Sequence, residues 1–275
     1  MRGYRQHTRI EEAFMDKVFN TSPNLHIPTL YRVEPDRPYQ WLARGWKDIK
    51  RTPVLSLGYG LFFTLVGYAL MLGAWNEPWL VLMFLAGFLL VGPLSALGLY
   101  EISRRQERGE PVTLRDTLTS WRRNPLGISL YTVFLGLIMI AWIRFTSLMI
   151  ALFFQAVPDK LQESWLALFT TEQGFGFFLV FSVSGGLAAL VVFITGVVTL
   201  PMMKERRQDV ITCVVTSVRV VQHNPAPMLL WALMLVTLIG LGFATFMLGL
   251  IVILPLLGHA TWHAYRDLVD REVVA

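Results

Sequence analysis

The stretch VLSLGYGLFFTLVGYALMLGAW (54–75), followed by NEP (76–78) and WLVLMFLAGFLLVGPLSALGLY (79–100), decides the fold. A helix rises about 1.5 Å per residue, so about 20 predominantly apolar residues cross a hydrocarbon core of roughly 30 Å. Both runs are long enough, and Glu77 in the short connection is the one formal charge between them. The stretch therefore predicts two membrane spans joined as a hairpin.

Working outward, comparable runs recur at 128–154, 175–203 and 228–262. The last is too long for one crossing and holds Gly240-Leu241-Gly242 near its middle. It is expected to fold back there into two arms of about 27 Å or less. The composition agrees with lipid as the main solvent: 54% of the residues are hydrophobic and 16% charged, with mean hydropathy +0.51, far from ordinary globular usage. The expected fold class is an all-α, polytopic membrane protein with about six transmembrane helices in three hairpins.

Lys and Arg set the orientation, because short basic loops stay on the cytoplasmic side. Arg44, Lys47, Lys50 and Arg51 precede the first span. Arg104, Arg105, Arg108, Arg115, Arg122 and Arg123 lie between spans two and three, and Lys204, Arg206, Arg207 and Arg219 between four and five. The opposite connections are neutral or acidic, with Glu77, Asp159, Glu163 and Glu172 against Lys160. Both termini are thus expected in the cytoplasm. A net charge of +5 does not indicate nucleic acid as a partner, because the cations are spread over juxtamembrane loops rather than gathered on one patch. Membrane lipids, with anionic headgroups among them, are the expected partners, together with a membrane-protein partner or a second copy. The single cysteine, Cys213, excludes an intramolecular disulfide. Residues 1–40 lack the apolar core of a cleavable signal, so the first span is expected to direct insertion.

Laying the segments around each hairpin over one another gives three units, at about 41–110, 111–208 and 209–268, within a membrane domain 39–268. A polar N-terminal tail (1–38) with Pro23, Pro28, Pro35 and Pro38 precedes it and a C-terminal tail (269–275) follows. Each unit opens with a basic amphipathic segment ending in Thr52-Pro53, Asn124-Pro125 or Asn224-Pro225. Such segments suit interfacial helices, with Trp and aliphatic groups in the headgroup boundary and Lys and Arg in water. The residue before proline leaves the helical region, and proline suits the first turn of the next helix, so each pair marks a turn into the membrane. Each unit ends in a helix extension: 93–104, 195–206 and 255–266, anchored on Arg104, Arg206 and Arg266. The second unit carries an extra outer segment, 155–176, in which an interfacial helix is expected after Asp159.

Within this alignment Glu101, Met203 and His263 are equivalent, as are Leu97, Thr199 and His259. His259 and His263 are four residues apart on one helix face, a spacing used by paired metal ligands, and Asp267 extends that face. Interfacial histidines that only hydrogen-bond give the same pattern. If the three extensions converge, Glu101, Arg104, Met203, Arg206, His259, His263 and Arg266 form one functional face, with His259 and His263 as candidate metal ligands. Arg144 is the one charge well inside an apolar run. Intramembrane charge marks function by default, but about 19 residues beyond Pro125 it suits an anchor at the outer headgroups.

The sequences GP (92–93) with GLYEISRR (98–105), TSVR (216–219) with NPAPM (224–228) and Trp231, and PLLGHATWHAYR (255–266) resemble an uncharacterised family of bacterial integral membrane proteins, a domain of unknown function, over roughly residues 40–268. The resemblance implies a bacterial cytoplasmic (inner) membrane location. Some members carry a cytochrome-oxidase-subunit label, but two histidines neighbouring on one helix cannot supply haem axial ligands from opposite faces. The family's acidic-basic-acidic triplet after the fourth span is replaced here by Lys204-Glu205-Arg206. No catalytic triad, phosphate loop, HExxH helix or paired intramembrane carboxylates occur, so no enzyme and no cofactor are expected. The expected function is an accessory or scaffold protein holding lipids or partner subunits; the alternative is a small-molecule or ion transporter or channel.

Overall fold

The computed structural model describes residues 27–73, 96–154 and 170–269, and apart from one isolated β-bridge their regular structure is helical. The helices are α1 (Arg37–Arg51), α2 (Pro53–Gly73), α3 (Leu97–Glu107), α4 (Leu114–Leu118), a 3-10 turn (Ser120–Arg123), α5 (Pro125–Phe154), α6 (Glu172–Gly196), α7 (Thr199–Arg206), α8 (Val210–His223), α9 (Pro225–Ala244) and α10 (Leu250–Leu268). Among the described residues four segments are long and apolar enough to cross a membrane: α2, α5, α6 running on into α7, and α9. The chain is a polytopic helical membrane protein. The expected second span lies largely in 74–95, outside the described residues, as do residues 155–169 of the expected outer interfacial helix.

Each proline places its helix as the sequence leads one to expect. Pro53, Pro125 and Pro225 are the first residues of α2, α5 and α9, where a missing N–H costs nothing. The residue before each proline joins distant chain. Thr52 Oγ1 accepts from Gln106 Nε2 at 3.0 Å. Asn124 donates to the carbonyls of Met203 and Gln208 at 3.3 and 2.8 Å, and Asn224 donates to Tyr31 O and accepts from Val33 N.

Two local expectations are corrected. The reversal between α9 and α10 falls at Thr245–Gly249, not at Gly240-Leu241-Gly242, which stays helical. Phe246 and Met247 adopt left-handed φ of 50° and 67°, and Thr245 Oγ1 accepts from Gly249 N at 2.8 Å while donating to Gly242 O, so the hydroxyl fixes the turn. The second interfacial segment is no continuous helix: Thr113 and Asp116 form a capping box on the single turn α4, and the 3-10 turn follows. The tail is tied down at its end, because Leu30 bridges Val269 and Tyr31 N donates to Leu268 O at 3.0 Å.

Burial is uneven along the membrane normal. No more than 28% of the most apolar window of these spans is buried within the chain, so the rest of the chain leaves most of their lateral surface uncovered. The packed core instead sits at the basic end, where Trp41, Trp231, Trp262, Tyr131, Tyr265, Leu200, Met202 and Met203 are fully buried. Trp41 and Trp231 meet edge to face with centroids 5.7 Å apart. Around this core, α3 packs on α4 and the 3-10 turn, α6 and α7 pack on α8, and α10 packs on α1 and α2. The end of each sequence unit thus lies against the start of the next, and the last lies against the first. Two glycines permit the last contact: a Cβ at Gly60 would come within 2.0 Å of Ile251 O, and one at Gly45 within 2.9 Å of Ala260 N.

Candidate functional site

The three helix ends α3, α7 and α10 pack on one another and carry most of the buried charge among the described residues. On α3, Glu101 is 2% exposed and surrounded by cations: Arg104 Nη2 at 2.6 Å, Arg105 Nε at 2.8 Å, Lys204 Nζ at 2.9 Å and Arg123 Nη2 at 3.7 Å. Burial by itself would raise this carboxyl. Hydrogen bonds from Arg104 and the charge of Lys204 outweigh it and hold Glu101 well below the usual carboxylate range. Lys204 on α7 is fully buried, donates to Leu97 O at 3.0 Å and lies 6.0 Å from the Trp262 ring centroid.

A second chain of contacts runs from α1 through α3 to α10. The Asp48 carboxylate, 5% exposed, accepts from Ser103 Oγ at 2.7 Å and contacts His263 Nε2 at 2.8 Å. Ser103 Oγ also meets His259 Nδ1 at 2.7 Å, and His259 Nε2 meets Ser56 Oγ at 3.0 Å. Asp48, Ser103, His259 and His263 lie outside the four candidate spans, and Ser56 is in the first turn of α2. Burial lowers His259 to about 4 and keeps it neutral. For His263 burial acts in the same direction, but hydrogen bonds to Asp48 and Glu107 outweigh it and raise its pKa, so it favours the imidazolium. Glu107 stands 3.5 Å from His263 Nδ1 and 3.2 Å from Arg266 Nε. Arg266 reaches Glu205 at 2.9 Å, and Glu205 accepts from the Tyr265 hydroxyl, which in turn accepts from Arg206 Nε at 3.3 Å. Acids and bases therefore stitch α3, α7 and α10 to one another, while Asp48 adds α1.

Asp267 turns to a third cluster. It binds Arg37 Nε at 2.7 Å, Trp41 Nε1 at 2.9 Å and both terminal nitrogens of Arg44. Burial opposes ionisation here, but the hydrogen bonds from Arg44, Arg37 and Trp41 prevail and lower Asp267 to about 2.

The residues singled out from the sequence are thus distributed as follows. Glu101, Arg104, His259, His263, Arg266 and Arg206 all enter the ionic layer, whereas Met203 lies in the apolar core beside it. The i, i+4 face of His259, His263 and Asp267 is the stripe on which α1 docks, with Asp48 on His263 and Arg44 on Asp267. All four imidazole nitrogens face Ser56, Ser103, Asp48 or Glu107, and the oxygens of Glu101 face cations. The arrangement is that of an ion-pair and hydrogen-bond layer, and among the described residues no group of three or more His, Cys, Asp or Glu is placed to hold a metal ion. Arg144 is exposed on α5, about 28 Å along the helix from Pro125. Asp48, Ser103, Lys204, Glu205 and Glu107 were not picked out from the sequence. An acid inside the amphipathic α1, among basic residues, was the one available signal for Asp48.

Residues 80–205 match the model of a family described as predicted integral membrane protein (DUF2189). That range runs from the expected second span through α5 and α6 to Glu205 of the ionic layer, and the match agrees with the expected resemblance to an uncharacterised membrane family. No curated protein and no solved structure matches the chain.

Proposed function

We propose that this predicted integral membrane protein is a non-enzymatic accessory or scaffold protein of the bacterial cytoplasmic membrane. Both termini face the cytoplasm, and three hairpin units close on one another at the cytoplasmic end. The observation that carries this reading is the distribution of polarity. Buried and partly buried charge is concentrated in the layer of Glu101, Lys204, Asp48, His263, Glu205 and Arg266, where acids face bases. Within the spans, the hydroxyls of Thr132, Ser147, Ser184 and Thr195 donate to carbonyls of their own helices, which leaves packing rather than a polar route as their role. A rigid, closed cytoplasmic end with laterally open spans suits a protein that holds lipids or a partner subunit. The lone thiol, Cys213, is buried and pushed up in pKa by that burial, the opposite of an activated nucleophile.

One observation favours transport as the second reading: the hydrogen-bonded chain Glu107–His263–Asp48–Ser103–His259–Ser56 leads from the half-exposed Glu107 toward the start of α2. Reconstitution into liposomes under a potassium and proton gradient decides between the two. A scaffold leaves dissipation at the rate of protein-free vesicles, and native mass spectrometry of the same sample shows lipid or a second subunit retained in fixed stoichiometry. Accelerated proton flux that disappears in His263→Gln would replace the scaffold reading with the transport one.

A further inference from the structure

The cations at the basic end fall into two sets. Arg37, Arg44, Arg104, Arg105 and Arg266 turn inward to carboxylates. Lys47, Lys50 and Arg51 at the end of α1, and Arg115 and Arg122 around α4 and the 3-10 turn, are exposed and form no ion pair among the described residues. Beside the second set stand exposed tryptophans: Lys50 Nζ lies 5.7 Å from the Trp46 ring and Arg122 5.6 Å from the Trp121 ring. Lys50 and Arg122 both stand two residues before the pre-proline position, and an exposed aliphatic residue, Val54 or Leu126, stands two after it. The same order of groups, cation with indole and then aliphatic residue across a turn into the membrane, thus occurs twice. At the third junction the residues in the register of Lys50 and Val54 are Gln222 and Ala226, no tryptophan precedes them on α8, and Arg219, in the register of Lys47, is only partly exposed.

We propose that the first two junctions are binding sites for anionic phospholipid, and that the third is not. The proposal rests on the lipid-holding reading and specifies its lipid. The headgroup phosphate sits against Lys47, Lys50 and Arg51 at one site and against Arg115 and Arg122 at the other. Trp46 and Trp121 lie at headgroup depth, and the acyl chains run down past Val54 and Leu126. Charge complementarity selects the occupant: unpaired cations facing a bilayer surface attract anionic over zwitterionic lipid, by roughly fivefold for each cation.

The test is native mass spectrometry of the delipidated full chain titrated with phosphatidylglycerol or phosphatidylcholine, at low and high salt. Two phosphatidylglycerol molecules are expected to bind more tightly than any phosphatidylcholine, with the preference reduced by salt. Lys50→Gln with Arg51→Gln removes one site, Arg115→Gln with Arg122→Gln the other, and Lys50→Arg keeps both. All these positions are exposed, and the unfolding temperature of each variant checks that folding is unaffected. Unchanged phosphatidylglycerol preference in the combined variant overturns the proposal. So does equal binding of both lipids by wild type, even where the absence of flux still supports a scaffold.

Discussion

At the residue scale, the ionic layer turns on Glu101 and His263. Replacing one member of a buried ion pair leaves its partner unpaired and costs about 3–5 kcal/mol. Glu101→Gln strands Lys204 and Arg104 together and is expected to fall in that range. Lys204→Met leaves Glu101 with Arg104 and Arg105 in place, sets an apolar side chain beside Trp262, and is expected to cost distinctly less. Thermal unfolding in detergent, read by circular dichroism, ranks the two; equal losses would mean that Glu101 is not the centre of the cluster. The raised pKa of His263 makes a pH prediction. Its contribution is fully present below the ordinary histidine value of about 6.5 and is lost as pH rises through the higher folded value. The unfolding temperature should therefore fall as pH rises above about 6.5 in wild type, and fall less in His263→Gln. Below pH 6.5 neutral His259, lowered to about 4, acts with the opposite sign, because protonation then favours the unfolded chain. The alignment of helix ends singled out Glu101 and the two histidines, but put them in one layer only on the condition that the extensions converge. Their partners Asp48 and Ser103 were not, because a helix position does not reveal which distant helix faces it.

At the scale of elements, the contact of α2 with α10 depends on a close approach rather than on charge. Gly58 and Gly60 sit two residues apart on α2, and a Cβ meets nothing within 4 Å at the first but strikes the Ile251 backbone at the second. Gly58→Ala is expected to be neutral or stabilising by up to about 1 kcal/mol. Gly60→Ala is expected to cost at least the about 1–3 kcal/mol of overpacking, since backbone rather than a side-chain end must move. Matched unfolding curves of the two variants check this, and similar midpoints would place α2 further from α10. The sequence marks both glycines alike; facing decides between them. The reversal after α9 shows the same limit. Glycines suggested the turn, but Gly242 is needed within α9 and the Thr245 hydroxyl supports left-handed residues after it.

At the scale of the whole molecule, the two ends of the described chain meet, with Leu30 opposite Val269. Directly opposed residues in an antiparallel pair carry Cβ atoms about 4.5–5.5 Å apart, within reach of a disulfide after small adjustment. Leu30→Cys with Val269→Cys, in a Cys213→Ser background, should therefore cross-link within one chain on mild oxidation. Mass spectrometry of the digested protein identifies the joined peptides; free thiols after oxidation would separate the ends. Closure of this kind explains why the core lies at the basic end. Helix extensions and interfacial segments leave the lipid there, and they have aromatic surface to bury against each other.

What the sequence determined by itself is the membrane class, the prolines that start three spans and the location of the helix extensions. These follow from run length, from residue periodicity and from the missing N–H of proline, all local properties of the chain. Tertiary structure alone decided that the extensions share one ionic layer, that α10 docks on α1 through His263 and Asp267, and that Glu101 faces Lys204. Those pairings join residues 61 to 230 positions apart. Such contacts depend on how whole helices cross, and a pattern read along one helix does not specify its partner.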